Sequence, residues 1–540
     1  MIKQTFTRSR ISVLIAACLT AGATPAAFAD SSEQMQQMQQ QIQTLEQRLE
    51  QMQAQQQKDQ QAQQETQQKI DKAAIATPAQ VVPQGYLGNN PGNMQGNQTA
   101  FRLGGVNVQL GGFLASETVY RSRSLQSDIG SPYSKIPFAP NNGGQVGANA
   151  SGTGLGGYYN QSEFRGTERQ SRFSMLVDGN VDPDTIISGY YELDFLGAGT
   201  TANANESNSY QPRTRHVYAN IDWMASGWHV LAGQTWSLAT LNTHGITPRM
   251  EEIPLTIDAQ YVPGFTWARQ WQFRVVKDWD KKWWAAVSLE NSQTSGVNGT
   301  TPGAYNYQLT PPGGSLFNSF GNNMSVNHYP DIIAKLAAET DLGHYEIYDL
   351  ARNFQSAYGA SATAPGSQQS TWSNAVGVGA VIPLIPKQLE LSFSGLFGNG
   401  IGRYGTVGLA DADYNPNGSL NPLKGTQMLG GIIWHTNPTL AIYGNIGQET
   451  VDSNIYNIGG TVYGYGNNVG GVTQYSPDLN KVSQETVGFW WSFYKGNYGA
   501  AKLGGQFSHT LATGFQTAAA GVTPTTTDNM VFTSIRYFPF

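Results

Sequence analysis

The chain has 540 residues, only 13% of them charged, with 11% aromatic residues, 62 glycines and a formal charge of −6 at pH 7. Removing the three cations of the first ten residues (Lys3, Arg8, Arg10) leaves about −9, which excludes a partner held by nucleic-acid phosphates. The longest later apolar run, Val376 to Ile385, is about ten residues, whereas a spanning helix needs ~20, so helical membrane spans are excluded as well.

In chain order, residues 1–29 read as a secretory signal peptide. A basic start leads into the apolar "ISVLIAACLTAGA", and Ala27-Phe28-Ala29 is a small-x-small cleavage site. The competing reading is lipidation at Cys18, the only cysteine. Cleavage after Ala29 leaves a mature chain with no thiol, hence no disulfide framework and no thiolate metal site.

Residues 30–76 read as a Gln-rich coiled-coil helix. Between Gln34 and Gln68, 19 of 35 residues are Gln. Met35, Met38, Ile42, Leu45, Leu49 and Met52 alternate three and four apart, which is a heptad seam. A helix with one apolar stripe needs a partner, so the seam implies an oligomer without fixing its order. A disordered Gln-rich stalk is the alternative. Residues 77–103, rich in Pro, Gly, Asn and Gln, read as a linker.

From residue 104 to 540 the period changes to two. In "QLELSFSGLF", Leu389, Leu391, Phe393 and Phe397 share one face, and Glu390, Ser392 and Ser394 the other. Sixteen such segments begin near residues 104, 168, 185, 212, 227, 266, 282, 330, 343, 371, 388, 426, 439, 483, 498 and 529. Their connections alternate short and long throughout. The pattern predicts an all-β fold: a 16-stranded antiparallel transmembrane β-barrel, preceded by the periplasmic coiled-coil helix, with its short turns toward the periplasm. Closure is required because in lipid every backbone N–H and C=O must be paired within the protein. The terminal "IRYFPF" then closes the ring, and Tyr537, Phe538 and Phe540 are expected in the aromatic girdle.

The order of "RQSRF" (169–173), "RHVY" (215–218), "AGQTWS" (232–237), "RQWQFR" (269–274) and the C-terminal "IRYFPF", behind a Gln-rich helix, resembles the DcaP-like porins of Gram-negative outer membranes. That resemblance implies a homotrimer of sixteen-stranded barrels, set among outer-membrane lipids, passing small anions with dicarboxylates among them. It implies neither a cofactor nor an enzymatic reaction. The third long loop, residues 239–265, does not align with the family, so substrate details do not carry over.

A charge facing lipid at the midplane costs ~2–4 kcal/mol, so phase assigns clear charges to the lumen. Arg172, Arg274, Lys335 and Lys502 oppose apolar faces and are expected to line a pore, as are the acids Glu192, Asp194, Asp331, Glu339 and Glu390. The phase of Arg213, Arg215, Arg269 and Arg352 is ambiguous. The third loop carries Arg249, Glu251, Glu252 and Asp258 among prolines that restrict φ, and is expected to fold inward and narrow the channel. With Arg172 and Lys335 at mid-height and Arg274 lower, these cations predict anion preference, and the loop acids would set a transverse field. "GTGLGG" (152–157) matches a dinucleotide fingerprint but lacks the preceding strand and following helix. No H-E-x-x-H or G-x-S-x-G motif occurs. The alternative to a channel is a structural envelope protein, its barrel anchoring the coiled coil as a tether.

Overall fold

The computed structural model describes residues 100–138, 160–197, 210–294, 325, 327–358, 367–466, 478–515 and 523–539, together with Gln43, Gln47, Gln51 and Lys58. Those four are helical and exposed. The seam residues Ile42, Leu45 and Leu49, the signal peptide, the "GTGLGG" stretch and Phe540 lie outside the described residues.

Sixteen staves form one closed antiparallel barrel. They are β1 (Val106–Arg121), β2 (Glu163–Thr167 and Arg172–Asn180), β3 (Thr185–Gly197), β4 (Gln211–Trp223), β5 (Trp228–Trp236), β6 (Arg269–Trp279), β7 (Trp283–Glu290) and β8 (Asp331–Thr340). The second half comprises β9 (Gly343–Tyr358), β10 (Ser367–Ile385), β11 (Leu389–Asn399), β12 (Lys424–Asn437), β13 (Leu440–Val451), β14 (Leu479–Gly496), β15 (Gly499–Gly514) and β16 (Thr525–Phe538). The two pieces of β2 pair with successive stretches of β1 and act as one stave. β1 pairs with β16, from Leu114↔Tyr537 to Arg121↔Met530, and this removes both edges. The segment Ala100–Leu103 adds a short hairpin beside β1.

Short turns join the staves at one rim. At Trp279–Lys282, Asp280 and Lys281 both have positive φ, and the Lys282 N–H donates to the Trp279 carbonyl (3.0 Å), which is a type I′ hairpin. This rim is ringed outside by exposed Trp223, Trp228, Trp279, Trp283, Trp434 and Trp491. Above it the outer wall is apolar, for example Val287, Leu289, Leu336, Ile347 and Val376. Such a belt is matched to hydrocarbon, with the indoles at its boundary.

One row of register partners gives the tilt. It runs from Asn529 through His509, Glu485, Ile446, Gly430, Phe393, Ala380, Tyr345 and Ala338 to Trp283. Asn529 accepts from the N–H of Ser122, just past the end of β1 at the long-loop rim. Trp283 opens β7 at the short-turn rim. The row therefore crosses the full height of the wall over ten staves, as tilted strands in a sheared barrel must.

One expectation needs correction. Tyr537 faces outward, but Phe538 is 2% exposed and packs inside against Phe113, their ring centroids 5.3 Å apart. The alternation continues unbroken through the last stave, so Phe538 shares the inner face with Arg536 and Ser534.

Candidate permeation pathway

The loop between β5 and β6, residues 237–268, turns into the barrel and crosses it. Leu238, Ile246, Ile253, Leu255, Ile257, Val262 and Phe265 are all buried. An apolar segment of this kind cannot stay in water at an outer surface, and the lumen supplies its cover. Polar tethers then fix its course. Near its start, the Lys335 ammonium on β8 donates to the Thr240 carbonyl (2.8 Å) and to Asn242 Oδ1 (3.3 Å). At its lowest point, the Gly245 N–H donates to the Glu339 carboxylate, one residue before the short-turn rim segment of β8 ends. On the far wall, Trp490 Nε1 donates to the Leu255 carbonyl (2.8 Å). Near the exit, the Gly264 N–H donates to Glu449 Oε1 on β13 (2.9 Å). There a Cβ on Gly447 would meet the Pro263 carbonyl oxygen at 1.9 Å, so the loop lies flush on the wall only because position 447 is glycine.

Two other loops join it. From the first, the Ser131 N–H donates to Asp258 Oδ1 (3.1 Å) and the Tyr133 hydroxyl to the Tyr261 carbonyl (2.8 Å). From the sixth, the Tyr404 carbonyl accepts from the Trp267 N–H (2.7 Å), and Arg403 reaches Asp331 (3.3 Å). The sequence pointed to infolding only for the third loop. Alternating Gly, Ser and Asn hides the buried Leu125, Ile129, Ile136, Val407 and Leu409 of the other two.

The cations divide into fixed struts and groups left toward the bore. Lys335 is inward, as phase predicts, but its side chain is 0% exposed and it pairs with Glu346 (2.7 Å). It is a loop tether and not a free lumen charge. Arg274 is also buried, donating to Gln272 Oε1 (2.9 Å) and the Trp236 carbonyl (2.8 Å). Lys502 lies inside, 5.2 Å from the Phe538 ring centroid and in register with Arg536. Arg249, at φ 69°, donates to the Tyr218 hydroxyl (2.9 Å). Glu251 and Asp258 are buried, and burial pushes both carboxyls up from their ordinary values. Neither supplies the open transverse charge expected of it.

The arginines of ambiguous phase form the larger cluster. Arg215 pairs with Glu192 and with Asp194 (2.9 Å), and Arg213 pairs with Asp194 (2.8 Å). A β-bulge explains the ambiguity. Glu192 faces His216 and Leu193 faces Thr214, so Arg215 is the extra residue and turns inward beside His216. Arg269 lies where β6 re-enters the wall, its guanidinium 4.9 Å from the Trp236 ring centroid. Arg172 lies on the neighbouring wall, 5.4 Å from the Phe113 ring centroid, with a buried Nε that has no hydrogen-bond partner. Four guanidiniums thus gather around two carboxylates. Arg172 and Arg269 are half-buried and the Arg213 side chain is 34% exposed. A second network, Arg352 with Asp331 (3.2 Å) and Asp411 (2.9 Å), is fully buried and braces loop six.

Glu252 gives a pH test of loop docking. Burial, and then the neighbouring Glu390 carboxyl, push it from 4.5 up to about 8, against a hydrogen bond from Ser392. The folded state therefore holds this proton more tightly than the unfolded chain. Its contribution is complete below pH 4.5, falls as pH rises from there, and is lost above about 8. Glu252→Gln is expected to raise the melting temperature above pH 8 and to leave it unchanged near pH 4, as read by circular-dichroism melts.

No known protein family matches the chain's sequence, and no curated protein matches it. Among solved structures, the outer membrane channel DcaP of Acinetobacter baumannii is similar at 17% identity and TM-score 0.56, covering 81% of this chain and 99% of that one. The anion-selective porin from Comamonas acidovorans (11% identity, TM-score 0.43) covers 80% and 99%. Salmonella typhi OmpF (10% identity, TM-score 0.43) covers 81% and 99%. The resemblance to DcaP-like porins seen in the motifs is thus met in the architecture, and the chain has the sixteen-stranded barrel fold of the DcaP channel.

Proposed function

We propose that the protein is an outer-membrane porin for passive diffusion of small solutes, with a preference for anions such as dicarboxylates. The observation that carries this reading is the arginine excess of the bore-facing cluster. Arg172, Arg213 and Arg269, with the buried Arg215 behind them, stand against only Glu192 and Asp194. Permeation is decided where the path is narrow and water scarce, so a local excess outweighs the acidic sum of the chain, which salt screens beyond ~8–10 Å. The protein works as a homotrimer in outer-membrane lipid, with residues 30–76 in the periplasm. DcaP is itself described as an outer membrane channel. The inward packing of three loops favours one other reading, a filled barrel serving as an anchor.

Planar bilayers holding the purified protein separate the two. The expected result is steady conductance, with a reversal potential on the chloride side in a KCl gradient. A barrel that inserts without conducting is the anchor, and clear cation selectivity overturns the anion reading.

A further inference from the structure

The outer wall of a barrel is convex, yet here it carries a groove of about 820 Å³ crossing β10 to β15. It follows two adjacent register rows. One is Ala380, Phe393, Gly430, Ile446 and Glu485. The other, displaced by one outward position, is Ile382, Leu391, Ile432, Gly444 and Val487. Gly430 and Gly444 supply no side chain between larger neighbours, and this makes the hollow. Six staves at ~4.8 Å spacing give a length of ~24 Å. The rows descend from the long-loop rim, so the groove opens high, at Glu485 and His509, and runs down into the apolar belt. Four residues further up β14 than Glu485, or ~13 Å along the strand, Lys481 faces outward in register with Thr450. Thr450 pairs with Thr426, and exposed Lys424 lies two residues above Thr426 on the same face.

We infer that this groove seats an acyl chain of an anionic, phosphate-bearing lipid of the outer leaflet, with Lys424 and Lys481 holding its phosphates. Below its mouth at Glu485 and His509 the outward lining is apolar, and the lysines lie above that mouth, which puts the apolar and cationic parts in the order of such a lipid. A neighbouring protein wall would have to bring a knob into a hollow that a flexible chain fills without strain. Glu485 does not oppose the phosphate, because it lies well below the lysines and beside its register partner His509, whose Nδ1 contacts Asn529 Oδ1 (2.7 Å).

The groove is on the face away from the lumen, so its variants leave conduction alone. A Cβ at Gly430 meets nothing closer than Ile446 Cγ2 at 3.7 Å, so Gly430→Leu fills the hollow without displacing backbone. The test is native mass spectrometry of the full protein, exchanged from lipid A-containing micelles into lipid-free detergent, with phosphatidylcholine as competitor. Wild type is expected to retain lipid A, and Gly430→Leu to retain at least about fivefold less. The Lys424→Ala, Lys481→Ala double variant should lose the advantage of lipid A over phosphatidylcholine, about fivefold for each lysine near a charged surface. Ala285→Leu, on the opposite apolar wall, should match wild type. Equal retention by wild type and Gly430→Leu overturns the inference. So does a shift of Gly430→Leu from oligomer to monomer, which would place another subunit in the groove.

Discussion

Replacing Arg172, Arg213 and Arg269 together by Gln is expected to lower the chloride-to-potassium permeability ratio about tenfold and to turn the preference from anions to cations. Each fixed charge ~8 Å from the ion path contributes about 0.5 kcal/mol in water-like dielectric. Three give about 1.5 kcal/mol per ion, roughly halved by screening at 0.1 M salt; the field acts with opposite sign on chloride and potassium, so their ratio moves by about 1.4 kcal/mol, a factor of ten. The reversal follows from what remains, since Arg215 alone faces Glu192 and Asp194. Arg215 is left in place because removing it would strand two buried carboxylates. The effect should be large at 0.1 M KCl and small at 1 M, where the Debye length is ~3 Å. A triple variant with wild-type selectivity at low salt would place the selective point elsewhere.

Lys335→Met is expected to act on a different quantity, the size of the opening. Removing the ammonium leaves the buried Glu346 held by His344 Nε2 (3.1 Å) and the Asn242 N–H (3.3 Å) and releases the Thr240 carbonyl and the Asn242 side chain of the third loop. Breaking one side of a buried pair costs about 3–5 kcal/mol, and the remaining contacts of Glu346 to His344 and the Asn242 N–H set the cost toward the lower end. The loop should leave the wall at β8, and single-channel conductance should rise and become noisy. Adding Glu346→Gln removes the stranded charge and should recover most of the quiet, low-conductance behaviour. If Lys335→Met instead changes selectivity at constant conductance, the ammonium is an open lumen charge after all.

The two variants also mark where sequence reading succeeded and where it stopped. Strand positions were legible because half-buried strands alternate, and the observed staves begin within about five residues of the expected ones. Phase placed Arg172, Glu192, Asp194 and Lys335 on the inner face correctly. It could not tell an inner charge that meets water from one sealed under a loop, because the Thr240 carbonyl and the Asn242 side chain that cover Lys335 come from 95 and 93 positions away in the chain. Phase failed at Arg215, where a bulge adds one residue and breaks the count, and at Arg269, the first residue of β6, where the alternation has only begun. Phe538 was misplaced for another reason. A terminal aromatic suggests a girdle, but its place in the alternation points it inward.

The inward loop also has a consequence for biogenesis. The Ile257 N–H donates to Gln506 Oε1, 249 positions later in the chain, and the Leu255 carbonyl waits 235 positions for the Trp490 indole. Until β14 and β15 exist, the apolar middle of the third loop has no wall to lie on. Contacts this distant make assembly slow and leave sticky surface exposed meanwhile. Export must therefore deliver the chain to its membrane with that segment shielded by something other than its own barrel. The docked loop is therefore a late feature of the fold, settled only when the last three staves stand beside the first thirteen.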